Sequence, residues 1–189
     1  MNIFFLSMSI KRCVRYYFDK HVIKMILEYT QLLSTCYFIL NQDLAKQYLN
    51  DNLIYKPTHI NHRCNIWIRQ HYNNYMFVCE LALALCDEWR YRYNHCKIHA
   101  CESKLKFLLT HPPSHINNNI IIKTKYNPKC LSIPLPQAMP NEYKTKNKNV
   151  YHTVQAYRQY YKSPQKQHIV SWTKKHQNDK INLDKPIWW

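Results

Sequence analysis

The sequence contains no glycine. That absence excludes a phosphate-binding P-loop, a dinucleotide fingerprint and a G-x-S-x-G nucleophile elbow, each of which needs glycine where backbone and ligand approach closely. Glycine-containing DNA-binding hairpins are excluded with them. Tight left-handed backbone positions fall instead to asparagine, the next best tolerated residue there; Asn41, Asn94 and Asn117 to Asn119 are candidates. Two-residue β-hairpins usually require glycine, so an antiparallel β architecture is disfavoured. Acidic residues are scarce, 11 against 27 Lys and Arg, which leaves a formal net charge of +16. Nucleic acid and anionic membrane surfaces are the usual partners of such a chain. No apolar run reaches the ~18 residues that would suggest a membrane span. The opening MNIFFLSMSI is briefly apolar, with no basic residues before it and no small-residue cleavage site after it, and does not read as a signal peptide. A protein of the cell interior or of a virion is the expectation, with double-stranded DNA as partner and no membrane.

The eight cysteines include no C-x-x-C pair. Reduced thiols are expected, and Cys79 and Cys86, two turns apart on an apolar helix, read as small core residues. His95, Cys96, His99 and Cys101 are a possible zinc set, but their spacing matches no standard finger. No metal and no small-molecule cofactor are expected.

Hydrophobic periodicity points to an all-α fold: a compact bundle of three main helices, a long irregular Pro-rich segment and a basic aromatic C-terminal region. The first helix is expected over Cys13 to Leu40, with a short one at Asp43 to Leu53. A second long helix follows from Cys64 to Tyr93, with Asn94 as its left-handed terminator, and a third from Ile98 to Thr110 before a Pro-Pro stop. Pro112 to Lys148 reads as an extended wrap with one short strand at NIIIKT. NVYHTVQAYRQYY and QKQHIVSWTKK read as two short basic helices, and KPIWW as a tail packed on the body. All 189 residues are assigned to one monomeric domain.

Three stretches carry candidate chemistry. In DKHVIKMILEYTQLLS, His21, Lys24, Glu28 and Gln31 follow at steps of three, four and three, which stacks them on one helix face. A solvated face with a Lys24–Glu28 pair explains the pattern. So does a carboxylate held beside an amine nucleophile, which needs a proton shuttle. YKPTHINHRCNIWIRQ supplies Lys56, His59, His62, Arg63 and Arg69, either a polar linker or a phosphate-contacting loop. In AYRQYYKSPQKQHIVSWTKK, Tyr157, Tyr160 and Tyr161 alternate with Arg158 and Lys162. That pattern suits stacking on bases and pairing with phosphates, or equally an aromatic core edge.

DKHVIKMILEYTQLLS, the stretch YKPTHINHRCNIWIRQHYNNYMFVCELALALCDEWRYRYN and AYRQYYK together resemble, in order and spacing, the pyrimidine dimer DNA glycosylases of the phage endonuclease V type, especially their longer viral and bacterial relatives. The resemblance covers about half of the chain. It implies a compact all-α fold and a bifunctional glycosylase and AP-lyase chemistry. An amine attacks the sugar C1′, the base leaves, and the resulting imine drives strand cleavage by β-elimination. It maps the catalytic acid onto Glu28 and a helix histidine onto His21. The nucleophile falls to the amino group of Met1 or to Lys24, with Gln31 as an orienting group. Lys56, His59, His62, Arg63 and Arg69 become DNA contacts, and Tyr160 and Tyr161 stacking residues. The rival expectation is a basic DNA-binding protein of the same fold without chemistry.

Overall fold

The fold is a computed structural model that describes residues 1–94, 96–114, 116, 131, 134–147, 149–176 and 179–189. Helices run in the order α1 (Ile10–Arg15), α2 (Asp19–Leu40), α3 (Gln42–Asn50), α4 (Arg63–Gln70), α5 (Tyr72–Tyr93), α6 (Glu102–Thr110), α7 (Val150–Lys162) and α8 (Pro164–Gln167), followed by strands β1 (Thr173–His176) and β2 (Asp179–Asn182). The fold is mostly helical, as periodicity predicts. No described helix is long and apolar enough to cross a membrane.

The first seven residues are the unusual part. Asn2 to Ser7 form no helix, yet all six are buried, with Ile3, Phe5 and Leu6 fully so. They run through the middle of the molecule. Phe4 stacks on His21 of α2 at 4.6 Å, and Phe5 stacks on Phe77 of α5 at 5.6 Å and meets Trp67 of α4 edge-on. Backbone groups buried outside a helix need other partners. The Phe4 carbonyl accepts from the Tyr17 hydroxyl at 2.9 Å and the Cys13 thiol at 3.3 Å, and the Leu6 carbonyl accepts from Arg158 Nε at 3.0 Å.

The expected helix from Cys13 to Leu40 is two helices, because the chain turns at Tyr16 to Phe18. Tyr17 and Phe18 are both fully buried there. The carbonyls released where α1 ends are taken by one guanidinium: Arg92 donates to Val14, Arg15 and Tyr17 oxygens at 3.4, 2.9 and 2.8 Å. Such orphan carbonyls need a partner when buried. Asp19 then opens α2, with its negative charge at the positive end of the helix.

The expected helix from Cys64 to Tyr93 is likewise interrupted, at His71, which is extended (φ −154°, ψ 139°). Asn74 Nδ2 donates to the freed Trp67 carbonyl at 2.8 Å, and His71 Nδ1 accepts from the Asn73 amide at 3.1 Å, so side chains compensate for the break. Asn94 ends α5 in the left-handed conformation (φ 50°), as expected in a chain without glycine. Asn52 and His59 occupy the same region (φ 56° and 52°), whereas Asn41 does not (φ −143°). Asn117 to Asn119 and the NIIIKT segment lie outside the described residues.

The second basic helix expected at QKQHIVSWTKK is confined to the single turn of α8, opened by Ser163 and by Pro164 at its first position. Beyond it the chain extends into an antiparallel hairpin, with Thr173 paired to Asn182 and Lys175 to Lys180. β-Branched Ile169, Val170 and Thr173 favour extension. The Asp19 carboxylate completes the reason: it accepts from Ser171 Oγ at 2.5 Å, Thr173 N at 3.1 Å and Thr173 Oγ1 at 2.7 Å. The terminal rings pack as anticipated, Trp189 against Trp172 at 5.0 Å and Trp188 against Tyr16 at 5.6 Å.

Arg92 is 1% exposed and also pairs with Asp19 at 2.9 Å and Glu88 at 2.7 Å. Removing it takes a charged donor from two buried carboxylates and three carbonyls. Arg92→Met is expected to cost about 3–5 kcal/mol of unfolding free energy in urea titrations. A loss below about 1 kcal/mol would show that the guanidinium does not join α1, α2 and α5.

Candidate active site

The threading of Asn2 to Ser7 carries the chain's first nitrogen to α2. The amine of Met1 lies 3.8 Å from Glu28 Oε2, and the Asn2 amide donates to the same oxygen at 3.3 Å. Lys24, one turn earlier on α2, approaches the other oxygen, Oε1, at 3.3 Å. Glu28 is only 13% exposed on its side chain, whereas Lys24 is 70% exposed. Two amines of different burial therefore share one half-buried carboxylate.

Asn2 fixes this arrangement. Its side chain donates to the Ala138 carbonyl at 2.7 Å and accepts from the Tyr157 hydroxyl at 2.9 Å. The same hydroxyl is 2.7 Å from the Pro136 carbonyl and accepts from the Ala138 amide at 3.2 Å. Arg63 Nη1 adds a bond to the Gln137 carbonyl at 3.0 Å. The strap of residues 134–140 thus closes over the start of the chain.

His62 caps α4, its Nδ1 accepting from the Cys64 amide at 3.2 Å. Burial, helped by the positive charges of the Met1 amine, His59 and Arg63, lowers its pKa, and Glu28 opposes the shift. Lys166 of α8 lies in the same cationic, aromatic stretch as Tyr160 and Lys162. Its Nζ lies 5.3 Å above the Phe4 ring and 5.0 Å above the Tyr160 ring. Burial lowers its pKa, the Lys24 charge adds to the shift and Glu28 counters it. Sequence spacing carries no signal for this contact, because a turn of helix at residue 164 faces a residue at position 4 only through the fold.

The remaining expected site residues divide by burial. His21 is buried, 2.6 Å from the Tyr161 hydroxyl through Nδ1, and desolvation pushes its pKa down to about 3. It is a neutral core group stacked on Phe4. Tyr157 and Tyr161 are fully buried and present no face to a base; the first clamps Asn2, the second stacks on Phe18 at 4.4 Å. Arg158 is spent on the Leu6 carbonyl and lies 5.3 Å from the Trp188 ring, which Lys162 also overlies at 6.0 Å. Arg69 Nη1 donates to the Ile60 carbonyl and to Asn65 Oδ1, both at 2.6 Å, and so holds the 55–62 loop rather than standing free. Lys56, His59 and Arg63 are exposed, Gln31 and Tyr160 are half-buried. The half-exposed face of Tyr160 is the stacking candidate that survives.

Beside the strap lies a groove of about 560 Å³ whose walls include Arg63, Lys144 and Lys146, with Trp67 and Leu135 below them. No carboxylate lines it. Its outer wall, Gln137, is the residue that Arg63 grips next to Asn2.

Among the described residues no group of three or more His, Cys, Asp or Glu could hold a metal ion. His95, the first residue of the possible zinc set, lies outside them; Cys96 is exposed and Cys101 buried. Burial raises the Cys13 thiol to about 11 and the Cys64 thiol to about 12, which makes both poor nucleophiles. The chain matches no protein-family model, no curated protein and no solved structure.

His21 gives a pH prediction. Its pKa is about 3 in the fold against 6.5 for an ordinary imidazole. Between those values the unfolded chain takes up a proton that the folded chain refuses, so stability falls as pH drops below ~6.5 and the loss ends near pH 3. The full difference corresponds to at most about 5 kcal/mol. His21→Gln, which cannot titrate, is expected to flatten the pH dependence of the urea midpoint over that window. An unchanged slope would assign acid sensitivity elsewhere.

Proposed function

We propose that the protein is a DNA glycosylase with AP-lyase activity that acts on a damaged or modified pyrimidine through an amine–sugar imine. The observation that carries this reading is the meeting of Met1 amine, Lys24 and Glu28 at one half-buried carboxylate beside an acid-free cationic groove. A reaction through an imine needs both parts. An amine of the site supplies the bond to C1′. The carboxylate gives and takes the protons that carbinolamine formation, water loss and β-elimination require. The resemblance to the phage-type glycosylases supports the same assignment of Glu28.

The charge distribution supports DNA as the partner. Arg63, Lys144 and Lys146 offer phosphate contacts around the groove, and Lys56 and His59 stand exposed on the adjoining loop. Tyr160, half-buried with Lys166 5.0 Å from its ring, is the aromatic candidate for a nucleotide taken out of the stack.

Two measurements test the reading. Affinity for random duplex should fall by orders of magnitude between about 50 and 200 mM salt, as several phosphate contacts require. A salt-independent affinity removes DNA from the reading. Glu28→Gln should retain that binding and lose nicking of a duplex with an abasic site or a pyrimidine dimer by about 100-fold or more. Full nicking by this variant removes Glu28 from the mechanism. Tight, salt-sensitive binding by wild-type protein that never nicks either duplex would leave the non-catalytic alternative.

A further inference from the structure

We infer that Lys166 is the amine that bonds to the sugar, an assignment that rests on the imine-forming reading above. Three amines surround the site. Both oxygens of Glu28 are already engaged, Oε1 by Lys24 at 3.3 Å and Oε2 by Met1 at 3.8 Å with the Asn2 amide at 3.3 Å. An amine held against a carboxylate is not free to turn its nitrogen toward a carbonyl carbon. Lys166 is different: among the described residues no carboxylate lies within ion-pair distance of its Nζ, which rests instead over Phe4 and Tyr160 at 5.3 and 5.0 Å.

The energetics point the same way. Ring faces favour the charged form of an amine. Desolvation acts against it, and the cation at Lys24 adds to that effect, while Glu28 opposes it. The net direction is a lowered pKa, toward the neutral nucleophile. The groups facing Nζ are thus Lys24, Glu28 and His21 of α2 together with Tyr160 of α7. Ser163 and Pro164 open α8, and the Lys166 amide donates to the Ser163 carbonyl at 2.9 Å, so its backbone is anchored.

The step balances with groups already at hand. The Nζ lone pair bonds to C1′ of the ring-opened sugar aldehyde, and the carbonyl oxygen takes a proton to become a hydroxyl. That hydroxyl leaves as water after a second proton arrives through Glu28, giving the C1′=Nζ iminium. Glu28, a carboxylate again after giving up that proton, takes a C2′ proton, the electron pair expels the 3′ phosphate group by breaking the C3′–O bond, and water hydrolyses the iminium to free the lysine. Lys24 and the Met1 amine, in this scheme, hold Glu28 and the adjoining phosphates. Tyr160 lies beneath the reacting amine, where its ring can support the sugar.

Borohydride reduction of the wild-type protein on abasic duplex, followed by peptide mass mapping, tests the assignment. The expected adduct is on the Lys166 peptide. Lys166→Arg keeps a basic side chain of similar reach but cannot form the imine, and should lower trapping about 100-fold or more without weakening duplex binding. A DNA-free measurement uses formaldehyde and cyanoborohydride: methylation of Lys166 should reach half its maximal rate at a lower pH than that of the exposed lysines. An adduct on Met1 or Lys24, with Lys166→Arg trapping like wild type, overturns this inference and leaves the lyase reading intact. No adduct on any amine, from protein that binds the duplex, overturns the lyase reading itself. Methylation of Lys166 at the same pH as the exposed lysines overturns the claim for its amine whatever happens on DNA.

Discussion

The burial of Asn2 to Ser7 is the constraint on which the site depends. A segment without helical hydrogen bonds is stable in a core only when its backbone polar groups find other partners. Here Tyr17, Cys13 and Arg158 provide them, while Phe4 and Phe5 fill the space between α2, α4, α5 and α7. Apolar burial of this kind is worth ~2 kcal/mol per large side chain. Because the segment is fixed along its length, its first nitrogen has little choice of position. It arrives at Glu28 as a consequence of packing.

The same economy governs the other end of α2. Asp19 and Arg92 tie together the α1–α2 turn, the C-terminal part of α5 and the strand β1. A buried pair is costly to desolvate and contributes net stability only when its remaining donors and acceptors are satisfied. Arg92 meets that condition with two carboxylates and three carbonyls, and Asp19 with a serine, a threonine and an amide. The helix that presents Lys24 and Glu28 is therefore anchored at its start by an ionic node and along its flank by the buried N-terminal segment. The reaction proposed for this site would depend on positions held within tenths of an ångström, and this anchoring is the support it would require.

Much of this was legible in the sequence because local patterns have local causes. The apolar face of α2 sets that helix, and its spacing sets Lys24 beside Glu28. Asn94 ends α5 because a glycine-free chain has few other residues for a left-handed position. The breaks at Tyr16–Phe18 and at His71 were not legible. Neither contains proline or glycine, and each is stabilised by a distant or unforeseen side-chain donor, Arg92 in one case and Asn74 in the other. The hairpin was hidden for the same reason, since Asp19 holds strand β1 from 154 residues away. Aromatics misled most. Tyr157 and Tyr161 alternate with cations exactly as base-stacking residues would, but α7 turns that edge inward and leaves Tyr160 half-exposed. Alternation of rings and charges describes an amphipathic helix before it describes a nucleic-acid surface.

The site's geometry is tolerant at one point and strict at another. The nitrogens of residues 1 and 2 both face Glu28 Oε2, at 3.8 and 3.3 Å. Two successive backbone nitrogens therefore converge on one carboxylate oxygen. The strictness lies in Asn2, whose amide oxygen and nitrogen are both used, one by Tyr157 and the other by the Ala138 carbonyl. Aspartate could accept from Tyr157 but could not donate to Ala138, and it would bring a second carboxylate toward Glu28. Leucine would fill the volume and satisfy neither partner. The side chain at position 2 thus decides where the strap of residues 134–140 sits, and the strap supplies the wall shared by the carboxylate site and the cationic groove. A single amide joins the placement of the Met1 nitrogen to the shape of the cationic groove.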